Sequence, residues 1–232
     1  MDAMILIKQI AEQALLIKTS AGGNDSFLLD RAERLIRNVN LICHLPELAN
    51  AGFQVDKTSL LAAAYFYDAA LAKWISTKRN GQHFFYSDRK IDGMSDLSRT
   101  ILEEKLAGVL DKSKINKISE IIAETNEHFT KMTEAMILSD ARNLDDMGAA
   151  GLINDLRRSI TEGKTISDIL GGWQRKIDYN YWQARLRESF RFESVRKIAE
   201  KRFTAANYFM NELRIENVGK DIEKSIVKNA LV

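Results

Sequence analysis

The chain has 232 residues, 45% of them apolar and 28% charged, with 34 Lys and Arg against 32 Asp and Glu for a formal net charge of +2. That length buries a core without help from a disulfide or a structural metal, and the near-neutral balance does not select nucleic acid as a partner, although it leaves room for a local basic face. A single cysteine, Cys43, excludes an intramolecular disulfide and a cysteine-rich zinc site.

The neighbours of Cys43 are Leu41, Ile42 and Leu45, so it reads as a buried apolar thiol in a reducing cytoplasm. The N-terminal apolar run is short, follows Asp2 and is interrupted by Lys8 and Glu12, which predicts an amphipathic helix rather than a signal peptide. No stretch approaches the ~20 apolar residues of a membrane span.

Pro46 is the only proline, so long helices are favoured over a multi-stranded sheet and the expected fold class is all-α. Residues 2–19 carry Ile5, Ile7, Ile10, Ala14, Leu15 and Ile17 at helical period, and 21–26 make a loop. A second helix is predicted over Phe27–Cys43, with Leu28, Leu35, Val39 and Ile42 as its buried stripe. A third is predicted over 56–77, capped by Asp56 or Thr58. Its run from Leu60 to Tyr67 is apolar on every side, which marks a central helix and makes Asp68, at its end, the first residue to question.

The polar stretch 78–95, with Gly81 and Gly93, predicts an extended excursion. Helices follow at 96–110, 114–128, 133–139 and 149–160. Small residues after Asp145 suit close helix packing. Gly171-Gly172 predicts a break before two long helices, 173–191 and 193–215. The chain therefore divides into a helix and loop (1–26), a helical domain with C-terminal helices (27–215) and a charged tail (216–232).

Four segments in order resemble the HD superfamily, helical metal-dependent phosphohydrolases named for an adjacent His-Asp pair. Arg31-Ala-Glu-Arg34-Leu35 resembles the first motif, with Arg31 where the family has a metal-binding His. Ala63-Ala-Tyr-Phe-Tyr67-Asp68 resembles the His-Asp motif, with Tyr67 in place of His. Asp140-Ala-Arg-Asn-Leu-Asp145-Asp-Met-Gly148-Ala-Ala-Gly151-Leu152 is similar to the family's distal aspartate motif and is the most specific match. Tyr181-Trp182 through Arg185-Leu186, then Ala199 to Arg202 and Phe209, resemble the C-terminal helices of one subgroup.

The resemblance implies an ancestral pocket formed by Arg31, Arg34, Tyr67, Asp68, Asp140 and Asp145. An HD site works because its ligands hold a divalent ion that polarises a phosphoryl oxygen and activates water. Arg31 cannot lose its proton, so it is no metal ligand and brings positive charge to the place of a cation. The expectation is an ion-paired cluster of Arg31 with Asp68 and Asp140, Tyr67 bonding one of those acids, and no metal. The implied function is a silent ligand-binding or regulatory module, its ligand an anionic small molecule. The alternative is an active phosphohydrolase using Mn, Mg, Ni or Co on Asp68, Asp140 and His128.

Blander readings stand beside these. Arg31 as a solvated helix residue, Tyr67 as core and Asp145 as a helix cap each need no site. His128, near Glu124 and Glu127, equally suits an exposed helix end. His83, in Gln82-His-Phe-Phe-Tyr86, suits a lid over the pocket or a plug on the core, and His44 a loop. Basic residues with aromatics between 182 and 202 offer a nucleic-acid face, but Glu188, Glu193 and Glu200 dilute it, and a solvated amphipathic face is the reading preferred.

Overall fold

The structure, a computed structural model, describes residues 3–19, 22–49, 52, 54–77 and 94–223. Among them are twelve helices and one pair of two-residue strands, so the fold is all-α as the sequence predicts. The predicted excursion at 78–95, with His83, lies outside the described residues apart from the first turn of a helix that begins at Met94.

Helix α1 (Ala3–Leu15) buries Ile7, Ala11 and Leu15, spaced by four, against the centre of the molecule. It ends earlier than the predicted 2–19. Ile17 and Lys18 form β1 (Ile17–Lys18) instead, antiparallel to β2 (Asn24–Asp25). The reason is local. Gly22 takes φ +83, and Thr19 N–H donates to Gly23 O at 2.8 Å, which closes a hairpin that still delivers Ile17 to the core. The Asp25 carboxylate then accepts from Phe27 N at 3.0 Å and starts α2 (Phe27–Ile42).

After α3 (Pro46–Ala49), Asp56 caps α4 (Lys57–Phe66) by accepting from Ser59 N at 3.1 Å. Leu60, Ala62, Ala63, Ala64 and Phe66 are all buried, which makes α4 the central helix. The prediction of one helix over 56–77 needs correction. The helical ladder is interrupted at Tyr67–Asp68 and resumes as α5 (Ala69–Thr77), with Ala72 N donating to Asp68 O at 2.9 Å. No proline or glycine is involved. The two neighbouring side chains are held by different partners, described below, and the backbone turns between them.

Helix α6 (Met94–Leu106) packs on α5 and on α7 (Lys112–Glu124), and α7 and α8 (Thr133–Asp146) pack on α4. Helix α8 runs well past the predicted 133–139 and carries the whole distal aspartate motif as far as Asp146. It meets α9 (Gly148–Thr161) at a sharp corner. Gly148 has φ +83, and a Cβ there would sit 2.7 Å from Arg202 Cβ. A Cβ on Gly151 would sit 1.9 Å from Asp146 O. The small residues of this stretch are therefore points of close backbone approach.

The C-terminal layer comprises α10 (Ile166–Asp178), α11 (Tyr181–Glu188) and α12 (Glu193–Asn217), with α9 and α10 both packed on α12. Two predictions are corrected here. Gly171-Gly172 does not break the chain but lies within α10, and the expected helix 173–191 is split at Tyr179–Asn180. A glycine costs a helix interior only about 1 kcal/mol relative to Ala. Here the Thr165–Asp168 capping box and the burial of Leu170 and Trp173 offset it. Asn180 takes the left-handed conformation, φ +52, that Asn tolerates better than most residues. Trp173, Trp182 and Phe203 pack together beneath, with ring centroids 5.0 to 6.2 Å apart. No helix among the described residues is long and apolar enough to cross a membrane.

Candidate functional site

Arg31 follows Leu28 by three positions and precedes Leu35 by four, so it lies on the buried stripe of α2. The stripe carries it inward, and the side chain is 3% exposed. Its Nη1 donates to Asp68 Oδ1 at 3.3 Å, from the break between α4 and α5. Its Nη2 donates to Asp146 Oδ1 at 3.4 Å, and its Nε stands 3.7 Å from Asp145 Oδ2. Arg31 is thus not a solvated helix residue.

Arg34, one turn further along α2, grips Asp145 with Nε to Oδ1 at 2.7 Å and Nη2 to Oδ2 at 3.3 Å. This is a two-pronged guanidinium–carboxylate pair. Asp145 is accordingly an internal ion-pair partner and not a helix cap. From α11, Arg185 Nη2 reaches Asp146 Oδ2 at 2.9 Å and Asn143 Oδ1 at 3.3 Å. Asp146 therefore joins α2, α8 and α11 through two arginines.

The acids around Arg31 differ from those expected. Asp68 is there, but Asp145 and Asp146 stand where Asp140 was anticipated. Asp140 lies one and a half turns earlier on α8 and faces another way. Its Oδ1 accepts from Arg191 N at 2.8 Å and its Oδ2 from Phe192 N at 3.0 Å. Beside it Glu47 Oε1 accepts from Ser194 N at 3.0 Å and Ser194 Oγ at 2.9 Å. Two acids, from α8 and α3, thus take the free N–H groups at the start of α12, where helix donors lack intrahelical partners.

Tyr67 also departs from expectation. Its hydroxyl bonds neither Asp68 nor Asp140; it donates to Asn126 Oδ1 at 3.3 Å and accepts from Arg142 Nη1. Arg142 Nη1 donates as well to Asn126 Oδ1 at 2.6 Å, with its guanidinium carbon 5.5 Å from the Tyr67 ring centroid. This group forms a half-buried rim next to the buried cluster, and the charge of Arg142 is felt at Asp68.

Burial raises the carboxyl pKa of Asp68, and Asp146 and Asp145 push the same way against the pull of Arg31 and Arg142. Burial also raises Asp140, to about 7, although the N–H groups of Arg191 and Phe192 favour its charged form. Four guanidinium groups, Arg31, Arg34, Arg142 and Arg185, outnumber three carboxylates, Asp68, Asp145 and Asp146, and Arg202 also acts on Asp145, so positive charge is in excess.

The donor set suits a divalent ion poorly. Asp68 is held by Arg31, both oxygens of Asp140 accept backbone N–H groups, and His128 is exposed on the turn after α7, its ring edge-on to Phe129. Of the other residues singled out, Cys43 is half-buried and burial raises its thiol pKa. His44 is exposed, its Nδ1 2.6 Å from Asn40 O. The basic residues of 182–202 are partly spent within the fold: Arg185 on Asp146, Arg196 on Glu193 and Glu200, and Arg202 on Leu144 O at 2.7 Å.

Asp146, Arg142, Asn126 and Arg185 are members of this site that sequence reasoning did not assign to it. All but Asn126 stand inside the matched segments. Nothing in those segments says that Arg142 turns to the residue before Asp68, or that Arg185 returns from a later helix.

No family model matches the chain, and no curated protein matches its sequence. Solved structures do resemble it. The crystal structure of Bacillus subtilis YpgQ in complex with ADP aligns over 93% of this chain and 97% of its own, with a TM-score of 0.56 and 14% identity. The selenomethionine form of YpgQ aligns over 93% and 96%, with a TM-score of 0.59 and 16% identity. A predicted HD superfamily hydrolase from an uncultured Thermotogales bacterium aligns over 90% of each chain, with a TM-score of 0.51 and 17% identity. The architecture is therefore an all-α, HD-like fold, and the likeness is one of fold.

Proposed function

We propose that this HD-like domain works without a metal ion, with the Arg31 guanidinium taking the electrostatic place of a cation, as a binding or regulatory module for an anionic small molecule. One observation carries the proposal: a buried guanidinium ringed by Asp68, Asp145 and Asp146. A buried arginine so surrounded has its charge compensated, and a divalent ion beside it would be repelled by the guanidinium. Removal of the metal takes away the means of polarising a phosphoryl oxygen and acidifying water. What stays is recognition. The positive excess, and the Arg142–Tyr67 pair at the half-buried rim, favour an anion there. The ADP held by YpgQ, in a similar fold, makes a nucleoside diphosphate the first ligand to try. The half-buried thiol of Cys43 is in keeping with a reducing cytoplasm.

The test is elemental analysis of untagged protein, a hydrolysis screen of nucleotides and phosphate esters with Mn, Mg, Ni and Co, and calorimetric titration of ADP. The expected result is no tightly held transition metal, no turnover, and ADP binding that weakens in Arg142→Met. A stoichiometric metal accompanied by turnover that Asp140→Ala abolishes would replace this reading with an active phosphohydrolase.

A further inference from the structure

A second place in the molecule gathers charge around open space. Helices α9 and α10 both pack on α12, and a cavity of about 420 Å³ lies between them. It shares no lining residue with the Arg31 cluster. Its size falls within the roughly 300–1,000 Å³ usual for small-molecule sites.

Helix α10 supplies most of the wall, Ile169, Trp173 and Lys176 included. Ser167, Asp168, Gly171, Gly172 and Arg175 recur at spacings of three and four and all line the cavity. The two glycines are the informative members. Neither has a positive φ, and a Cβ on Gly171 or Gly172 would meet nothing closer than the Arg175 guanidinium, at 3.7 and 3.9 Å. Gly151 differs sharply, because a Cβ there would strike backbone at 1.9 Å. Packing within the chain thus explains Gly151 and leaves the pair in α10 without a reason, although glycine disfavours a helix interior. What the pair provides is a side-chain-free floor under the Arg175 guanidinium.

The charges of the cavity sort in the same direction. Asp155 on α9 is neutralised twice, by Arg158 at 3.1 Å and by Lys176 at 3.1 Å from across the cavity. Asp168 turns its carboxylate to Thr165 N and Oγ1, at 2.9 and 2.6 Å. Both acids are occupied. Lys164 contacts Glu162. Arg175 alone among the lining cations makes no ion pair or side-chain hydrogen bond with the described residues. Leu152 and Leu156 on α9 and Trp173 on α10 supply apolar wall.

We infer that the cavity between α9 and α10 binds a small organic anion with an apolar portion, its anionic group on Arg175 and its apolar part against Leu152, Leu156 and Trp173 above the glycine floor. The inference stands apart from the reading of the Arg31 cluster.

The test titrates phenyl phosphate, benzoate, benzyl alcohol and inorganic phosphate into the full chain, followed by amide NMR shifts and calorimetry. Phenyl phosphate or benzoate is expected to shift amides of α9 and α10, and whichever binds better identifies a phosphate or a carboxylate as the preferred group. The neutral alcohol and phosphate alone are expected to bind at least about tenfold more weakly, the scale of one charged hydrogen bond. Gly172→Leu, which fills the floor, and Arg175→Gln, on an exposed side chain, should each lower affinity about tenfold or more. Arg142→Met should leave it unchanged. Absence of shifts in α9 and α10 at millimolar ligand, shifts confined to the surroundings of Arg142, or affinity unaltered in Arg175→Gln would each overturn the inference. Equal binding of benzyl alcohol would overturn it too, by showing an apolar void and no anion site.

Discussion

The Arg31 cluster and the α9–α10 cavity each bring several cations together with fewer acids, yet one is closed and the other open. In the first, side chains from α2, α8 and α11 interlock at 2.7 to 3.7 Å and fill the space that their charges define. In the second, the acids are neutralised at the edges, two residues carry no side chain, and Arg175 is left over. Charge content alone does not distinguish a structural knot from a binding site. What distinguishes them is whether the chain itself supplies the counter-groups and the volume.

The largest expected effect is at the closed site. Arg31→Met leaves three buried or half-buried acids without their shared cation, and should cost about 3–5 kcal/mol, the usual penalty for breaking a buried ion pair. Urea unfolding at pH 7 measures it. A loss below ~1 kcal/mol, the scale of an exposed pair, would mean that the cluster is solvated and the contrast with the cavity is lost.

Next comes the corner that joins the two layers. Gly148→Ala places a Cβ at φ +83 and against Arg202, and should cost about 3 kcal/mol from left-handed strain and overpacking together. An unchanged unfolding midpoint would show that the start of α9 does not approach α12 as closely as described.

A third prediction concerns pH. Burial lifts the Asp140 pKa to about 7, above the ordinary 3.8 expected when unfolded. The folded chain therefore holds a proton between those values that the unfolded chain has released. Stability from this group is greatest below about pH 4 and declines from there as pH rises to 7, by about 2 kcal/mol between pH 5 and 7. Asp140→Asn cannot titrate, so the stability of wild type relative to this variant should fall over that interval. A constant difference from pH 5 to 8 would contradict it.

The smallest effect is at the open site. Gly172→Ala should stabilise the chain by about 0.5–1 kcal/mol, since helix propensity improves and no backbone stands in the way. Destabilisation there would show that the glycine pair serves packing, and would make the two regions alike.

Much of the architecture was legible in the sequence because period and burial coincide. The stripes of α1 and α2 and the all-apolar face of α4 declare themselves in Ile7, Leu35 and Leu60. Breaks were less legible. The turn at Asn180 rests on one left-handed residue, the turn at Tyr67–Asp68 on two side chains with distant partners, and the glycines that should have broken α10 are overridden by its cap and its buried Trp173. The β1–β2 pairing is too short to leave a period. At the site, the match to a known motif pointed to Arg31, Arg34, Asp68 and Asp145, which the structure brings together. The same match paired Arg31 with Asp140, because alignment gives order along α8 and not the direction in which each turn faces. Asp145 and Asp146 face α2, while Asp140 faces the start of α12.

The grip of Asp140 and Glu47 on the first N–H groups of α12 bears on how the chain can be cut. Asp140 and Glu47 both precede α9 and take their donors from beyond residue 190. A truncation ending at Ser189 would leave the buried Asp140 and the half-buried Glu47 without these N–H donors, which should destabilise the helices that remain. Helix α12 is in that sense a lid fastened from within, and losing it weakens the whole rather than trimming it.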